Sequence, residues 1–159
     1  FGPLFFDADL AELRRYAEIS VAEHDGRIGA LAAWVPPGAL PRTGWKRIRR
    51  DLRAAPVLLR AHHRARATRL LAEVDRRHPK ESHWYLALLG TDPAATGRGL
   101  ATALLAPVLA RCDDEGEFAY LETQKEANVA WYARAGFTVI DEIELPGTPK
   151  VWCLRRDPR

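Results

Sequence analysis

Apolar residues recur with two different periods along this chain, and the changes of period mark its elements. Residues 19–23 and 28–35 read as two strands, and His24-Asp25-Gly26-Arg27 between them reads as a hairpin turn, with Asp-Gly supplying positive φ. Pro36-Pro37-Gly38 stops the second strand. From residue 43 to about 54, and again from about 56 to 77, the spacing becomes helical. Ile48, Leu52, Val57, Leu58, Ala61, Ala65, Leu70, Leu71 and Val74 mark one apolar stripe. His78-Pro79 ends that segment. A strand is predicted over 81–91 and a helix over 98–113, bent at Pro107 and ended by Gly116. A strand over 118–122 and a helix over 126–135 follow, the latter stopped by Gly136. Strands over 137–145 and 150–155 are joined by Pro146-Gly147-Thr148-Pro149, and a short helix is expected at 10–16. The order ββαα–βαβαββ predicts an α/β (α+β) domain spanning 1–159, with helical segment 39–80 inserted between strands.

One junction in this pattern carries chemistry. Leu86-Ala87-Leu88-Leu89-Gly90-Thr91 is apolar and strand-like, and Asp92 to Gly99 is turn-rich and runs straight into a helix. The first N–H groups of a helix lack partners within it, and its dipole puts partial positive charge there. Gly97 and Gly99 have no Cβ, so an anion can approach the backbone. The segment is neither a Walker loop nor G-x-G-x-x-G, because no Gly-Lys-Ser/Thr follows and position 102 is Thr.

Composition narrows the setting. The 159 residues suit one domain, and 47% hydrophobic residues suffice for a core. No apolar run approaches a membrane span, and Leu4-Phe5-Phe6 is too short for a signal core. Cys112 and Cys153 offer neither a disulfide framework nor a metal spacing, so no metal is expected, both are expected in or near the core, and a cytoplasmic location is expected. The chain holds no Met, so Phe1 is not expected to be the natural start. The net charge of +3 is uneven: residues 39–80 carry 13 Lys/Arg and 3 Asp/Glu, leaving a net negative remainder. Solvated helix faces are the expected reading of the basic block, which includes Arg42, Lys46, Arg47, Arg49, Arg50 and Arg53; a basic rim that attracts an anionic ligand and a nucleic-acid surface are the alternatives. Aromatic interleaving is poor there, with Trp45 alone, so no nucleic-acid partner is expected.

Thr96-Gly97-Arg98-Gly99-Leu100-Ala101 resembles the acetyl-CoA loop of the GNAT superfamily of N-acetyltransferases, Gln/Arg-x-x-Gly-x-Gly/Ala between a strand and a helix. Asn128-Val129-Ala130-Trp131-Tyr132-Ala133-Arg134-Ala135-Gly136-Phe137 resembles that family's Asn…Phe-Tyr-x-x-x-Gly-Phe element, in the matching order and separation. His78-Pro79-Lys80, His83-Trp84-Tyr85-Leu86-Ala87, Tyr120-Leu121-Glu122-Thr123 and Val151-Trp152-Cys153-Leu154 resemble the puromycin acetyltransferase branch. The resemblance covers roughly 17–38 and 78–157. It implies the GNAT acyl-CoA N-acyltransferase fold, a mixed and largely antiparallel sheet flanked by helices, here with the first strand and helix missing or truncated to 1–16. Thr96 departs from the family's Gln or Arg.

Acetyl transfer from a thioester to an amine needs a held donor, a base for the ammonium proton and an acid for the departing thiolate. The resemblance implies that Gly97 to Thr102 hold the phosphates, that Leu89, Gly90 and Thr91 offer backbone groups to the pantetheine arm, and that Asn128 bonds CoA. Thr96 is expected to cap the helix through its hydroxyl, and Arg98 to add charge near the pyrophosphate. Tyr132 is the expected general acid, since a phenol titrates near about 10. Glu122, a carboxylate in an apolar strand, is the expected base, with burial raising its pKa. His83 is the rival base, though a strand-start position suggests exposure. His62 and His63 are expected in solvent without a role. Trp34, Trp84 and Trp131 either wall a substrate pocket or pack in the core.

These readings predict an acetyl-CoA-dependent N-acetyltransferase acting on a small-molecule primary amine by direct attack in a ternary complex, with no membrane partner and a homodimer admissible. Two alternatives stand beside it. One is a non-catalytic acyl-CoA-binding sensor module. The other is a basic nucleic-acid-binding domain built on 39–80.

Overall fold

The computed structural model describes residues 13–39 and 61–159. The helix expected over 43–54, the basic residues 42–60, the start of the 56–77 helix, most of the 10–16 helix and the side chains of His62 and His63 lie outside the described residues. The described chain runs β1 (Glu18–His24), β2 (Arg27–Val35), α1 (Ala61–Arg77), β3 (His83–Thr91), α2 (Leu100–Glu115), β4 (Phe118–Thr123), α3 (Glu126–Arg134), β5 (Thr138–Ile143) and β6 (Val151–Arg156). A 3₁₀ turn, Pro93–Ala95, sits between β3 and α2. The six strands form one sheet in the order β1-β2-β3-β4-β6-β5. All neighbours are antiparallel except β3 and β4. This is the mixed, mostly antiparallel sheet flanked by helices that the motifs imply.

Local chemistry sets the element ends. Asp25 (φ 52) and Gly26 (φ 71) make the β1–β2 turn, and both central residues need positive φ. α2 starts at Leu100 rather than 98 because Gly99, at φ 76, stands in the left-handed region. It runs past 113 to Glu115, where Gly116 (φ 69) returns its N–H to the Cys112 carbonyl. Pro107 lies within α2 on its exposed side.

Among the described residues buried side chains pack on both faces of the sheet. Leu104, Leu105, Val108, Leu109 and Cys112 of α2 recur at helical spacing and pack with Trp34, Trp84, Leu86, Leu121 and Leu154. Tyr132 and Phe137 join that face. On the opposite face Leu70 and Val74 of α1 cover Phe118, Tyr120, Ile143, Val151 and Cys153. The alternation Tyr120/Leu121 and Cys153/Leu154 follows the two-residue period of strands.

One irregularity positions the site. β3 and β4 pair only at His83↔Phe118, Trp84↔Ala119 and Tyr85↔Tyr120. Beyond that, β3 continues beside β2 to Thr91, and β4 continues beside β6 to Thr123. The two parallel strands therefore part at their C-terminal ends, and a gap opens in mid-sheet.

Candidate active site

The chain between β3 and α2 is fastened from below. The Asp92 N–H donates to the Gly29 carbonyl at 2.8 Å, and Asp92 Oδ1 accepts from the Ala94 N–H at 2.9 Å. A side chain at Gly29 would crowd this corner: a Cβ would stand 2.7 Å from Leu100 Cδ1 and 3.2 Å from both Ala95 Cβ and His24 Cβ, so these neighbours would have to shift. Gly97 (φ 79) and Gly99 (φ 76) then turn the backbone into α2, and a Cβ at either would meet nothing within 4 Å. The loop therefore presents bare backbone to open space. No side chain caps α2, which leaves the N–H groups of Leu100, Ala101 and Thr102 without intrahelical carbonyls. Thr96 does not cap the helix as expected. It ends the 3₁₀ turn three residues earlier, and its hydroxyl donates to the Asp92 carbonyl at 3.4 Å.

A cleft of about 550 Å³ opens at this loop. Leu89 and Thr91 of β3, the stretch Thr96 to Thr102, and Lys125, Asn128, Trp131 and Tyr132 at α3 all line it. Its charged lining residues are Arg98 and Lys125, both cationic. Gly90, expected with its neighbours, is not among the lining residues; it pairs with Leu31 of β2 between Leu89 and Thr91. Lys125 was not legible from the motifs.

α3 holds its residues by three local contacts. Asn128 Nδ2 donates to Thr123 Oγ1 at 3.1 Å, tying the helix to the end of β4. Gly136 (φ 92) reverses the chain, and the Phe137 N–H returns to the Tyr132 carbonyl at 3.2 Å. The Phe137 ring then packs 5.7 Å from that of Tyr132, with Trp131 at 4.9 Å on another side. Burial pushes the Tyr132 phenol up to about 12, so it stays protonated across the neutral range. Trp34 and Trp84 are core residues, and Trp131 alone of the three walls the cleft.

Glu122 is not in this cleft. It follows the Tyr120 alternation to the α1 face, and its side chain is only 9% exposed. Its Oε2 accepts from the Tyr85 hydroxyl at 2.7 Å, and its Oε1 lies 3.2 Å from His78 Nδ1. His83 is half-buried, not exposed: its ring stacks on Phe118 at 5.1 Å. Burial, first among the influences, draws its pKa below the ordinary imidazole value. His83 Nε2 lies 3.2 Å from His78 Nε2. In the sequence His78 stands out as a helix stop and as part of the His78-Pro79-Lys80 resemblance, and the two histidines five residues apart were a usable signal for their proximity. Cys112 and Cys153 are free and buried, and burial raises both thiols, Cys112 to about 11.

The sequence profile of the acetyltransferase (GNAT) family matches residues 5–137. This chain belongs to the GNAT acetyltransferase family. Solved structures agree on the fold. The histone acetyltransferase HPA2-related acetyltransferase of Corynebacterium glutamicum is 26% identical, with a TM-score of 0.63 over 100% of this chain and 79% of that one. Arylalkylamine N-acetyltransferase 2 of Aedes aegypti gives a TM-score of 0.66 at 16% identity, over 100% of this chain and 81% of that one. Naa50 of Arabidopsis thaliana, bound to the bisubstrate analogue CoA-Ac-MVNAL, gives 0.55 at 14%, over 99% and 82%. Membership makes this an acetyltransferase of a family that uses acetyl-CoA and acts on amines. Among the described residues no helix is long and apolar enough to cross a membrane.

Proposed function

We propose that this protein transfers an acetyl group from acetyl-CoA to a primary amine of a small molecule, by direct attack in a ternary complex. The observation that carries the reading is the parting of β3 and β4 beyond Tyr85 and Tyr120, with the Gly97–Thr102 backbone and Tyr132 at the cleft on one face and Glu122 on the other. The residues present fit CoA. Unpartnered N–H groups, two open glycine positions and the cations Arg98 and Lys125 suit phosphate oxygens. Leu89 and Thr91 offer a strand edge to the pantetheine arm, and Asn128 closes the cleft opposite them. When bound, acetyl-CoA supplies a thioester whose C–S bond breaks as the amine nitrogen forms the amide C–N bond.

The chain's own groups manage the protons. Glu122 takes the proton that the ammonium must lose, on the face opposite the cleft. Tyr132 donates its phenolic hydrogen toward the sulfur as negative charge develops there. A phenol at about 12 donates uphill to a thiolate of ordinary affinity, about 8.5. Tyr132 therefore works mainly as a hydrogen-bond donor. The buried, protonated cysteines give no acyl-enzyme route. The likeness of His78-Pro79-Lys80 and His83 to Ala87 to the puromycin acetyltransferase branch favours an antibiotic-like amine, and free buried thiols favour a reducing cytoplasmic setting.

The test is release of CoA thiol from acetyl-CoA across a panel of small primary amines, with the product mass measured. We expect at least one amine to gain one acetyl group. Tight CoA binding with no amine acetylated would move the assignment to a sensor module.

A further inference from the structure

One residue lining the cleft does nothing for the fold around it. Lys125 stands immediately before α3, at φ −114 and ψ 113, where the helix takes no side-chain cap. Asp, Asn, Ser or Thr is favoured at that place, because a side-chain oxygen there satisfies the leading N–H groups. A cation there has the wrong sign, since the helix dipole already puts partial positive charge at that end. Only the main chain of Lys125 is engaged among the described residues. Its N–H donates to Thr123 Oγ1 at 3.4 Å, and its carbonyl accepts from the Asn128 N–H at 2.9 Å. Glu126 beside it suits the dipole, but it forms no ion pair with Lys125 and does not line the cleft. The exposed ammonium is thus left to the cleft.

The sheet sets the two cleft cations apart. β3 runs on into the loop that carries Arg98, and β4 runs on into Lys125. Those strands part beyond Tyr85 and Tyr120, so the two cations follow opposite lips of the gap. Beside Arg98 the glycine loop and the unpartnered N–H groups of Leu100, Ala101 and Thr102 already make one anion cradle. Lys125 lies outside that cradle and brings a single compact charge on a flexible stem. CoA carries phosphate in two places. Its pyrophosphate bridge presents a row of oxygens that matches a row of N–H groups. Its ribose 3′-phosphate is a terminal dianion, approachable from one side, and matches a point charge.

We propose that Lys125 is a specificity-determining residue of the donor site, which reads the ribose 3′-phosphate of CoA from the lip opposite the glycine loop. This role rests on acetyl-CoA being the donor, and it divides the two cations between two phosphate positions: Arg98 serves the pyrophosphate and Lys125 the 3′ group. The 3′-phosphate supplies the counter-charge that Lys125 and the start of α3 otherwise take only from solvent. No carboxylate lines the cleft to compete for either cation. Because Lys125 is exposed, its contact is screened by salt and contributes a modest part of the affinity.

Calorimetric titration with CoA and with 3′-dephospho-CoA tests this, since the second ligand keeps the pyrophosphate and lacks only the 3′ group. The wild type should hold CoA about fivefold more tightly than dephospho-CoA, the scale of one exposed ion pair, and the margin should shrink as salt is added. Lys125→Gln should weaken CoA to the level of dephospho-CoA and leave dephospho-CoA unchanged. Lys125→Arg should keep the margin, and Arg98→Gln should weaken both ligands alike. The Tm of ligand-free Lys125→Gln should be no lower than that of the wild type, because a cation opposing the helix dipole has been removed. Equal affinity of the wild type for the two ligands would overturn the role of Lys125 while leaving the donor site standing. So would a Lys125→Gln protein that weakens both ligands alike or keeps the margin. A wild type that binds neither ligand would overturn the donor reading together with it.

Discussion

Tyr132 shows how much one residue can say before and after folding. The resemblance of Asn128 to Phe137 to the family's Asn…Phe-Tyr-x-x-x-Gly-Phe element marked it as the expected proton donor. The clamp by Trp131 and Phe137, and the burial that lifts the phenol to about 12, needed the fold. The raised value changes the expected size of its effect. A lost general acid ordinarily costs 10²–10⁴-fold; for a donor that transfers uphill, Tyr132→Phe should lower kcat by roughly 10²-fold and leave the acetyl-CoA Kd unchanged. Steady-state kinetics with calorimetric affinity check this. A wild-type kcat would remove Tyr132 from the proton path. Glu122 was legible as an odd carboxylate in an apolar strand. Its partner His78 was not, because proximity of residues 44 apart in sequence depends on β3 and β4 pairing beside the end of α1. Thr96 was misread because the helix starts after Gly99, and a cap is defined by where φ turns helical, not by residue type.

At the scale of elements, the strands and helices of 18–35 and 83–156 follow from periodicity, turn residues and glycine stops. What periodicity cannot show is where two strands stop pairing. The three-residue register of β3 with β4 arises because each strand finds another partner, β2 or β6, and only the assembled sheet decides that. The contact of α2 with β2 is equally tertiary. Gly29 touches Leu100 Cδ1 in prospect at 2.7 Å, so Gly29→Val should displace the first turn of α2. Overpacking of this kind costs about 1–3 kcal/mol. We expect a lower Tm and a weaker CoA Kd together. A variant with unchanged CoA affinity would show that the loop is not held from this side. Gly29 drew no notice in the sequence, since its φ is ordinary and the need for it lies seventy residues away.

For the whole molecule, the far end of α2 is tied to the C-terminal strand. Arg156 donates from both terminal nitrogens to Asp113 at 2.8 Å, and the Arg159 N–H adds a third bond at 2.8 Å. Arg156, first, then the Arg159 main chain hold the Asp113 carboxyl at about 2. A folded pKa below the unfolded value of about 3.9 contributes stability above that value and loses it as pH falls toward 2. The Tm should therefore fall between pH 4 and 2, and Asp113→Asn should be less stable at neutral pH and show a shallower acid decline. An equal decline in both proteins would assign acid sensitivity elsewhere.

CoA phosphates are expected to lie against the backbone from Gly97 to Thr102, and calorimetric titration of CoA into three proteins measures that directly. The wild type should bind. Gly99→Ala carries the strain of a Cβ at φ 76 and should bind with modest loss. Gly99→Glu carries the same strain and adds an anion where the cradle is open, so its binding should be abolished while its circular dichroism matches that of Gly99→Ala. Equal CoA affinity in a folded Gly99→Glu and in Gly99→Ala would contradict the site.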